Sequence, residues 1–324
     1  MVIVYVLALR NAVPAAVADA GYVFSMVNEF LRQRGIDPLF SVHLVGLTRD
    51  VTLSNGQFQL HPGMILTEAG FPDLVVIPSM TGDMMTATFL NKDFAAWIAA
   101  QYKRGAAVAS LCTGAFLLAH SGILKGRQCT THWAYANEFR HHYPSVTLLD
   151  ERMITDQHGI YSSGGGNAYW NLLLHLVEKY TDRAMAIRTA KYFVIELGRE
   201  AQSPFIIFQG LKDHDDELVR MAQETIELQH RDKLTVDQLA DVCHLSRRTF
   251  ERRFKKATRH SVFEYIQRVR VEAARQKLEM GRSPVQDIMY EVGYSDIQTF
   301  REVFKDITGM TPLDYRNKYN KDNC

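Results

Sequence analysis

Two stretches in the C-terminal third of the chain share one plan, and this internal repeat constrains the fold more than any other feature. They read LTVDQLADVCHLSRRTFERRFKKATRHS (234–261) and SPVQDIMYEVGYSDIQTFREVFKDITGMTP (283–312), about fifty residues apart. Each predicts a short amphipathic helix, a tight turn with a Ser or Asp at the next helix start, and a second helix. The repetition indicates that one supersecondary unit is used twice.

Aromatic and hydroxyl side chains recur at corresponding positions of the two stretches: Phe250 and Phe254 with Phe300 and Phe304, Ser246 with Ser295, and Thr258 with Thr308. The predicted first helices, 236–242 and 285–292, bury Leu239 with Ala240 and Ile288 with Met289. The second helices bury their phenylalanines. Two helices joined by a tight turn, with one polar face left over, form a helix-turn-helix unit.

The polar faces of the second helices carry the predicted DNA-binding residues: Arg247, Arg248, Glu251 and Arg252 in the first unit, and Ile297, Gln298, Arg301 and Glu302 in the second. Arginine pairs with guanine and glutamine with adenine in the major groove. A predicted helix at 261–280, ending before Gly281, separates the units and spans about 30 Å. Successive major-groove faces lie about 34 Å apart, so the units are spaced to read adjacent turns of double-stranded DNA.

Positive charge is concentrated at one place. The whole chain carries a net charge of +1, but 247–259 contain seven basic residues and one acidic residue. A basic helix can be only a solvated surface, yet here it coincides with the repeated unit, which favours phosphate binding.

Residues 217–319 resemble the DNA-binding domain of the AraC/XylS family of transcription regulators. The resemblance rests on LSRRTFERRFKKAT, VGYSDIQTFREVFKDITGMTPLDYR and RVEAARQKL, and it implies sequence-specific DNA binding. Two departures predict local differences. Met289 stands where the family has a small residue, so packing must adapt, and Arg259 stands opposite Gly309, so the turn after the first unit is expected to differ.

The first two thirds of the chain alternate apolar strands with helical patterns, which predicts an α/β, doubly wound, flavodoxin-like domain with a parallel sheet. We predict this domain at 1–196, a linker at 197–215 and the all-α domain with two helix-turn-helix units at 216–324. The segment FIIF (205–208) is too apolar to stay solvated and is expected to dock on a domain. The predicted strands are 2–9, 42–45, 74–78, 106–111 and 160–163, and the predicted helices are 14–34, 91–104, 113–121, 133–142, 167–180 and 182–195.

Cys112 lies in AAVASLCTGAFLLAHSG, where an apolar strand turns sharply into a helix. This context is typical of a nucleophile elbow. Together with DLVVIPS (73–79) and GRQCTTHW (126–133), it makes residues 1–195 similar to the class I glutamine amidotransferase-like, PfpI-type superfamily. Joined to the C-terminal domain, the chain resembles the GlxA-like regulators.

We predict that this domain is not an enzyme. PfpI-type hydrolases place a His directly after the Cys, where this chain has Thr113, and Asp19 is expected to lie too deep in its helix to serve as the acid. The predicted role is a small-molecule sensor whose pocket lies at the carboxyl ends of the strands. Its predicted lining comprises Cys112, Thr113, His132, Trp133, Gly164 and Gly165.

Two readings of this pocket stay open. The turn SSGGGN (162–167) could offer backbone N–H groups to a carboxylate, or could simply be a tight turn. Four aromatic residues could form a cage for a quaternary amine, or could belong to the core: Trp133, Tyr135, Tyr161 and Trp170.

The predicted function is therefore a DNA-binding transcription regulator controlled by a small metabolite. The alternatives are a thiol-dependent hydrolase or glyoxalase-like enzyme that also binds DNA, and a purely structural dimerisation domain in front. We expect a cytoplasmic homodimer without cofactor, metal or membrane segment. The four cysteines have no metal-site spacing and are expected to be free thiols: Cys112, Cys129, Cys243 and Cys324.

Overall fold

The chain divides into two units, Met1–Gln202 and Ser203–Cys324. The computed structural model describes residues 1–198, 201–210, 212 and 214–320 of the 324 in the chain. The predicted linker at 197–215 is thus described only in part, and the prediction for Cys324 lies outside the described residues. Among the residues described, no helix has both the length and the apolar character needed to cross a membrane.

The first unit is built on a seven-stranded sheet in the order β10-β11-β7-β6-β1-β2-β5. All neighbouring pairs are parallel except β10 with β11. The predicted doubly wound, parallel-sheet fold is confirmed. The strands are β1 (Val2–Ala8), β2 (Phe40–Gly46), β3 (Val51–Leu53), β4 (Phe58–Leu60), β5 (Met64–Ile65), β6 (Leu74–Ile77), β7 (Ala107–Ser110), β8 (Gln128–Cys129), β9 (Thr147–Leu148), β10 (Ile154–Gln157) and β11 (Ile160–Ser163).

Two groups of helices pack on the sheet of the first unit. α1, α6 and α7 contact one another, and α2, α3 and α4 form a second group. Because both faces are covered, every residue of β6 is buried, which explains its uninterrupted apolar sequence. The helices are α1 (Pro14–Arg32), α2 (Met84–Leu90), α3 (Lys92–Lys103), α4 (Ala115–His120), α5 (Ala136–His142), α6 (Ala168–Tyr180) and α7 (Arg183–Phe193).

Sequence patterns missed the small elements of this unit. The antiparallel hairpin of β3 and β4 is one of them, together with β5 and α2. In β3 only Val51 and Leu53 enter the core while Thr52 between them is exposed. Three residues are too few for such an alternation to be recognised from sequence.

The second unit is helical throughout its described part. One long helix, α11, joins two hydrophobic clusters, contributing Tyr265 and Val269 to the first and Val271 and Leu278 to the second. Each helix-turn-helix unit therefore has its own core, and α11 holds the two cores apart. The helices are α8 (Glu217–Gln229), α9 (Val236–Val242), α10 (Arg247–Thr258), α11 (Val262–Met280), α12 (Val285–Glu291), α13 (Ile297–Thr308) and α14 (Pro312–Tyr319).

The predicted repeat is confirmed in three dimensions. The order of exposed, half-buried and buried residues is identical over 251–260 and 301–310. The repeat also extends further than predicted, because the ring of Phe254 lies 5.4 Å from that of Tyr265 and the ring of Phe304 lies 5.5 Å from that of Tyr315, both edge to face. The start of α11 and the whole of α14 are therefore equivalent third helices.

The turn inside the second unit is one residue longer than that inside the first. Four residues, Cys243–Ser246, separate α9 from α10, and five, Val292–Asp296, separate α12 from α13. The helix-capping residue equivalent to Ser246 is thus Asp296, and the predicted match with Ser295 is wrong. Asp296 accepts hydrogen bonds from Thr299 Oγ1 at 2.6 Å and from Thr299 N at 2.7 Å, and both lower its pKa. The second bond satisfies an N–H at the helix start.

The turns that end α10 and α13 are alike, contrary to expectation. Arg259 has φ of 62° and Gly309 has φ of 73°, so both adopt the left-handed conformation. The backbone requirement of the motif overrides the difference in side chain, and Arg259 accepts a conformation that glycine adopts without strain. Met289 is accommodated in the second cluster, where it is 1% exposed.

Two glycines of the second unit allow conformational strain to be separated from steric clash. We expect Gly309→Ala to destabilise the helical unit by about 1 kcal/mol, because φ is positive but the nearest atom to an added Cβ is 3.9 Å away. Gly293→Ala is expected to cost more, about 2–3 kcal/mol, because its Cβ would lie 2.7 Å from the Arg231 carbonyl oxygen. Urea unfolding of both variants checks the order, with Gly63→Ala, which meets no atom within 4 Å, as the control. Equal losses at Gly293 and Gly309 would contradict it.

The FIIF segment docks on the helical unit only in part, because Phe205 and Ile207 stay exposed. Phe208 packs against the first cluster, with its ring 5.1 Å from that of Tyr265. Arg275 of α11 is 4% exposed and donates hydrogen bonds to the carbonyl oxygens of Pro204 and Ile206. The Phe208 N–H donates to Glu272 Oε2 at 3.2 Å. A buried ion pair on α11 therefore holds 204–208.

Candidate nucleic-acid interface and nucleophile elbow

The exposed face of α10 presents two arginines that form no ion pair within the described part of the chain. Arg248 and Arg252 are exposed, and neither has an ion-pair partner among the described residues. Phe250 and Phe254 on the opposite side are fully buried. The apolar side of the helix is thus fixed in the core, and two guanidinium groups stay exposed on the other side.

Three other charged residues of α10 are already engaged within the protein. Arg247 lies 3.1 Å from Asp237 Oδ2 and 3.5 Å from Glu251 Oε1, so two of the predicted DNA-binding residues, Arg247 and Glu251, pair with each other. Arg253, which the sequence analysis did not single out, makes two hydrogen bonds to Asp216 at 2.8 and 2.7 Å. This bidentate Arg253–Asp216 interaction joins α10 to the start of α8, and it holds the pKa of Asp216 below its usual value.

The exposed face of α13 is organised differently. Gln298 Nε2 donates to Glu302 Oε1 at 2.6 Å, so these two predicted DNA-binding residues are hydrogen-bonded to each other. Arg301 is exposed beside them, whereas Ile297 is half-buried against the second cluster and has only part of its side chain available.

The two recognition helices carry opposite charges at equivalent positions. Glu251 and Arg252 on α10 correspond to Arg301 and Glu302 on α13. α10 has six basic residues and one acidic residue, a net charge of +5, whereas α13 has two of each and no net charge. The exposed faces of the two helices therefore differ in charge and in hydrogen-bonding groups, and the positive charge lies mainly on α10.

In the first unit, Cys112 lies at a strained turn between β7 and α4, as the elbow prediction requires. Its φ is 53°, a left-handed conformation for a residue other than glycine. The Cys112 N–H donates to Ser163 Oγ at 3.0 Å, and Thr131 Oγ1 donates to the Cys112 carbonyl oxygen at 3.0 Å. Burial raises the pKa of the Cys112 thiol, although N–H groups of Thr113 and Gly166 act in the opposite direction. The thiol is therefore protonated near neutral pH, not activated as a thiolate.

The groups around Cys112 do not form a nucleophile–base pair. Thr113 Oγ1 donates to the Met80 carbonyl oxygen at 2.7 Å and accepts from Met80 N at 2.8 Å. The Thr113 side chain therefore has a structural role, joining this turn to the backbone of Met80. His132 Nδ1 accepts from Ala134 N at 3.1 Å, and burial lowers the pKa of His132. No hydrogen bond joins His132 to Cys112 within the described part of the chain.

The glycine-rich turn packs closely and its first N–H groups are occupied. A Cβ on Gly165 would lie 2.3 Å from the His132 ring, so only glycine permits this approach. Gly164 N donates to the Met153 carbonyl oxygen at 2.8 Å, and Gly165 N donates to Gln202 Oε1 at 3.1 Å. A ligand carboxylate could not use these two N–H groups without displacing their present partners.

Gln202 is the buried residue that sequence reasoning missed here. It is 2% exposed, and its Nε2 donates to the carbonyl oxygens of Thr131 at 2.9 Å and Asp150 at 2.6 Å. Gln202 falls inside the stretch predicted as a linker, where composition gives no sign of a tertiary contact.

Asp19 reaches the neighbourhood of Cys112 through a tyrosine. Tyr169 OH donates to Asp19 Oδ2 at 2.6 Å. The pKa of Tyr169 is raised mainly by burial, next by the interaction with Asp19, and to a smaller extent by Cys112. The aromatic cage does not form: Tyr161 and Trp170 are buried in the main core, and Trp170 lies 4.7 Å from the ring of Phe193.

Three of the cysteines are free thiols: Cys112, Cys129 and Cys243. Burial raises the pKa of Cys129 to about 12. Across the described ranges, no group of three or more His, Cys, Asp or Glu side chains is placed to hold a metal ion.

The buried thiol gives a direct chemical prediction. We expect iodoacetamide to modify Cys112 of the native chain more slowly at pH 7 than it modifies an exposed cysteine in a peptide. The rate should still be rising at pH 9, because the pKa of the thiol is raised above its ordinary value. Peptide mass spectrometry at several pH values measures it. A rate that is already at its maximum at pH 7 would reveal a thiolate and contradict the prediction.

Two protein families match separate parts of the chain. Residues 24–179 match the DJ-1/PfpI family, and residues 239–318 match a helix-turn-helix domain family. A crystal structure of a candidate transcriptional regulator from Vibrio parahaemolyticus covers 59% of this chain and 98% of its own, with a TM-score of 0.52 and 21% identity. That likeness supports the fold of the covered part.

Curated relatives span both units. The HTH-type transcriptional regulator GbdR of Pseudomonas aeruginosa is 25% identical over 316 residues, covering 96% of this chain and 83% of its own. The HTH-type transcriptional regulator GlxA of Rhizobium meliloti is 23% identical over 215 residues, 66% of each chain. Both are named as transcription regulators. The chain therefore combines a segment that matches the DJ-1/PfpI family with a segment that matches a helix-turn-helix domain family, and over most of its length it is similar to a protein named as a transcription regulator.

Proposed function

We propose that this chain is a sequence-specific DNA-binding transcription regulator whose second unit reads two adjacent major grooves. The observation that carries the proposal is the pair of equivalent helix-turn-helix units, each with its own core, held at opposite ends of α11. The 19 residues of α11 span about 28 Å. This length approaches the distance of about 34 Å between successive major-groove faces.

Seven of the eight predicted DNA-binding residues divide into two roles under this proposal, and the half-buried Ile297 has neither. Arg248, Arg252 and Arg301 contact bases or phosphates directly, since their guanidinium groups are exposed. The pair Arg247–Glu251 fixes side-chain positions on the exposed face of α10, and the pair Gln298–Glu302 does so on α13. A Gln–Glu pair of this kind presents an amide and a carboxylate together, which suits adenine next to cytosine.

The first unit would be the sensor. Support comes from the incomplete catalytic set around Cys112 and from a relative that aligns with 96% of this chain and is named as a regulator. We propose that a small molecule bound in this unit alters DNA binding or transcriptional activation by the second. The homodimeric state, the cytoplasmic location and the domain boundaries at 196 and 216 stay predictions.

Selection of binding sites from a randomised duplex pool by the purified full chain tests the proposal. We expect enrichment of a bipartite motif whose half-sites lie about 10.5 base pairs apart and differ in sequence. The difference follows from the reversed charges on α10 and α13. Enrichment of one base-specific half-site alone, or of no shared motif, would contradict the proposal that both helix-turn-helix units recognise bases.

A further inference from the structure

An open cavity of about 500 Å³ lies beside the loops that follow two central strands of the first unit, and six of its eight lining residues are exposed. Asn11 follows β1, and Thr81 and Gly82 follow β6. The opposite wall is the tip of the β3–β4 hairpin, with Thr52, Leu53, Ser54, Asn55 and Gly56. Neither Cys112 nor any other residue predicted for the effector pocket lines this cavity.

The position of the cavity in the sheet is the one that favours ligand binding. From β1 the chain continues to β2 on one side, and β6 lies beside β1 on the other. At this reversal of strand order the connecting helices leave on opposite faces, which opens a crevice at the carboxyl ends of β1 and β6. Asn11 and Thr81 lie at this crevice, and Asn11 O accepts a hydrogen bond from Thr81 N at 2.8 Å.

Buried polar side chains hold the strand-end wall in place. Asn91 has no exposed surface, and it accepts from Arg10 N at 2.9 Å and donates to the Arg10 carbonyl oxygen at 2.8 Å. Thr113 makes the two hydrogen bonds to Met80 described above. These ties fix the residues just before Asn11 and just before Thr81, so the wall is preorganised without a ligand.

The hairpin wall is anchored in a similar way. Val51 and Leu53 are buried in the main core, which leaves Thr52 on the cavity side. Asn55 has φ of 55° and Gly56 has φ of 92°, so the tip adopts a conformation that favours asparagine and glycine.

The chemistry of the lining identifies a class of ligand. Its side chains supply two amides and three hydroxyls, and no lining residue carries a charge. A formally charged group on a ligand would find no partner of opposite sign among these side chains. Hydroxyl and amide groups on the ligand would instead exchange water for direct hydrogen bonds. The volume lies within the range of about 300–1,000 Å³ typical of small-molecule sites.

We propose that this cavity, and not the surroundings of Cys112, is the effector site, and that its ligand is an uncharged small molecule rich in hydroxyl or amide groups. The inference rests on the proposed function in that it assigns the sensor role to a place in the first unit. Thr113 is then a positioning residue that ties the elbow to the wall of the cavity.

Three six-carbon sugars of matched shape test the charge requirement: D-glucose, D-glucuronate and D-glucosamine. Amide chemical shifts of the isotope-labelled full chain are followed as each sugar is added. We expect glucose to shift Asn11, Asn55 and Thr81 and to bind at least about fivefold more tightly than either charged sugar. Asn55→Gly, which keeps the backbone conformation and removes the amide, should weaken glucose binding, whereas Gln57→Ala on the same hairpin should not.

Three results would overturn the inference. They are tighter binding of glucuronate or glucosamine, shifts centred on Cys112 and His132, and no shift at the cavity with any sugar. Operator binding is measured on the same samples. If specific DNA binding persists while the cavity test fails, only this inference falls; if specific DNA binding is absent, the proposed function falls.

Discussion

Replacing Arg248 and Arg252 together with alanine is expected to weaken binding to the selected operator by about 2–6 kcal/mol, since each arginine that pairs with a base contributes about 1–3 kcal/mol. Both side chains are exposed on α10, and their removal leaves the buried Phe250 and Phe254 in place. Fluorescence anisotropy at fixed salt measures the change. The slope of log affinity against log salt should also fall by about one for each arginine–phosphate interaction that the substitutions remove.

The matched control for this pair is on the other helix of the interface. Arg301→Ala should weaken binding less than the double variant, and the loss should map to the other half-site. Arg32→Ala, an exposed arginine of the first unit, should change nothing. A change below threefold in the double variant would exclude α10 as the main source of affinity.

Replacing Arg275 with methionine is expected to destabilise the helical unit by about 3–5 kcal/mol, because it leaves the Glu272 carboxylate buried without its partner. Arg275 Nη1 lies 3.3 Å from Glu272 Oε2, and Arg275 Nε donates to Tyr315 OH at 3.0 Å. The substitution also removes the hydrogen bonds that hold 204–208. Urea unfolding followed by hydrogen-exchange mass spectrometry reads the helical unit separately from the sheet unit.

The cost of Arg275→Met should depend on pH in a defined direction. Burial already raises the pKa of Glu272, and Arg275 opposes that rise. Without Arg275 the folded-state pKa rises further above its unfolded value, so the folded state binds the additional proton and stability falls as pH rises through that interval. The destabilisation should therefore be smaller at pH 5 than at pH 8.

Two variants keep this result interpretable. Glu272→Gln in the Arg275→Met background removes the isolated charge and should recover part of the lost stability and abolish the pH dependence. Lys256→Met on the exposed face of α10 should change the unfolding free energy by less than about 0.5 kcal/mol. Equal stability of wild type and Arg275→Met at pH 8 would show that the ion pair does not hold the segment.

The helical unit was predictable from sequence because its signals are local and occur twice. Phenylalanines four residues apart, together with the turn between the helices, locate α10 and α13 without any long-range information. The pairings Arg247–Asp237 and Arg253–Asp216 were not predictable, because each joins residues on different helices. The equivalence of Ser246 with Asp296 was missed because an extra residue in the second turn shifts the register.

In the first unit, sequence predicted the central strands and the position of Cys112 but not the wider site. Strands such as β6 are buried on both faces and so read as unbroken apolar runs. The cavity walls come from a short polar hairpin and from loops after β1 and β6, which carry no periodic signal. Gln202 and Asn91 form hydrogen bonds with residues that are far away in the sequence. A single sequence contains no pattern from which such contacts can be predicted.

Hydroxyl-radical footprinting of the full chain on its selected operator tests most directly whether the two helix-turn-helix units read adjacent grooves. The account predicts two protected patches on one face of the duplex, separated by about one helical turn. With the Arg248→Ala and Arg252→Ala double variant, protection should be lost mainly from one patch. A single patch in the wild type, or equal loss from both patches in the variant, would contradict the account.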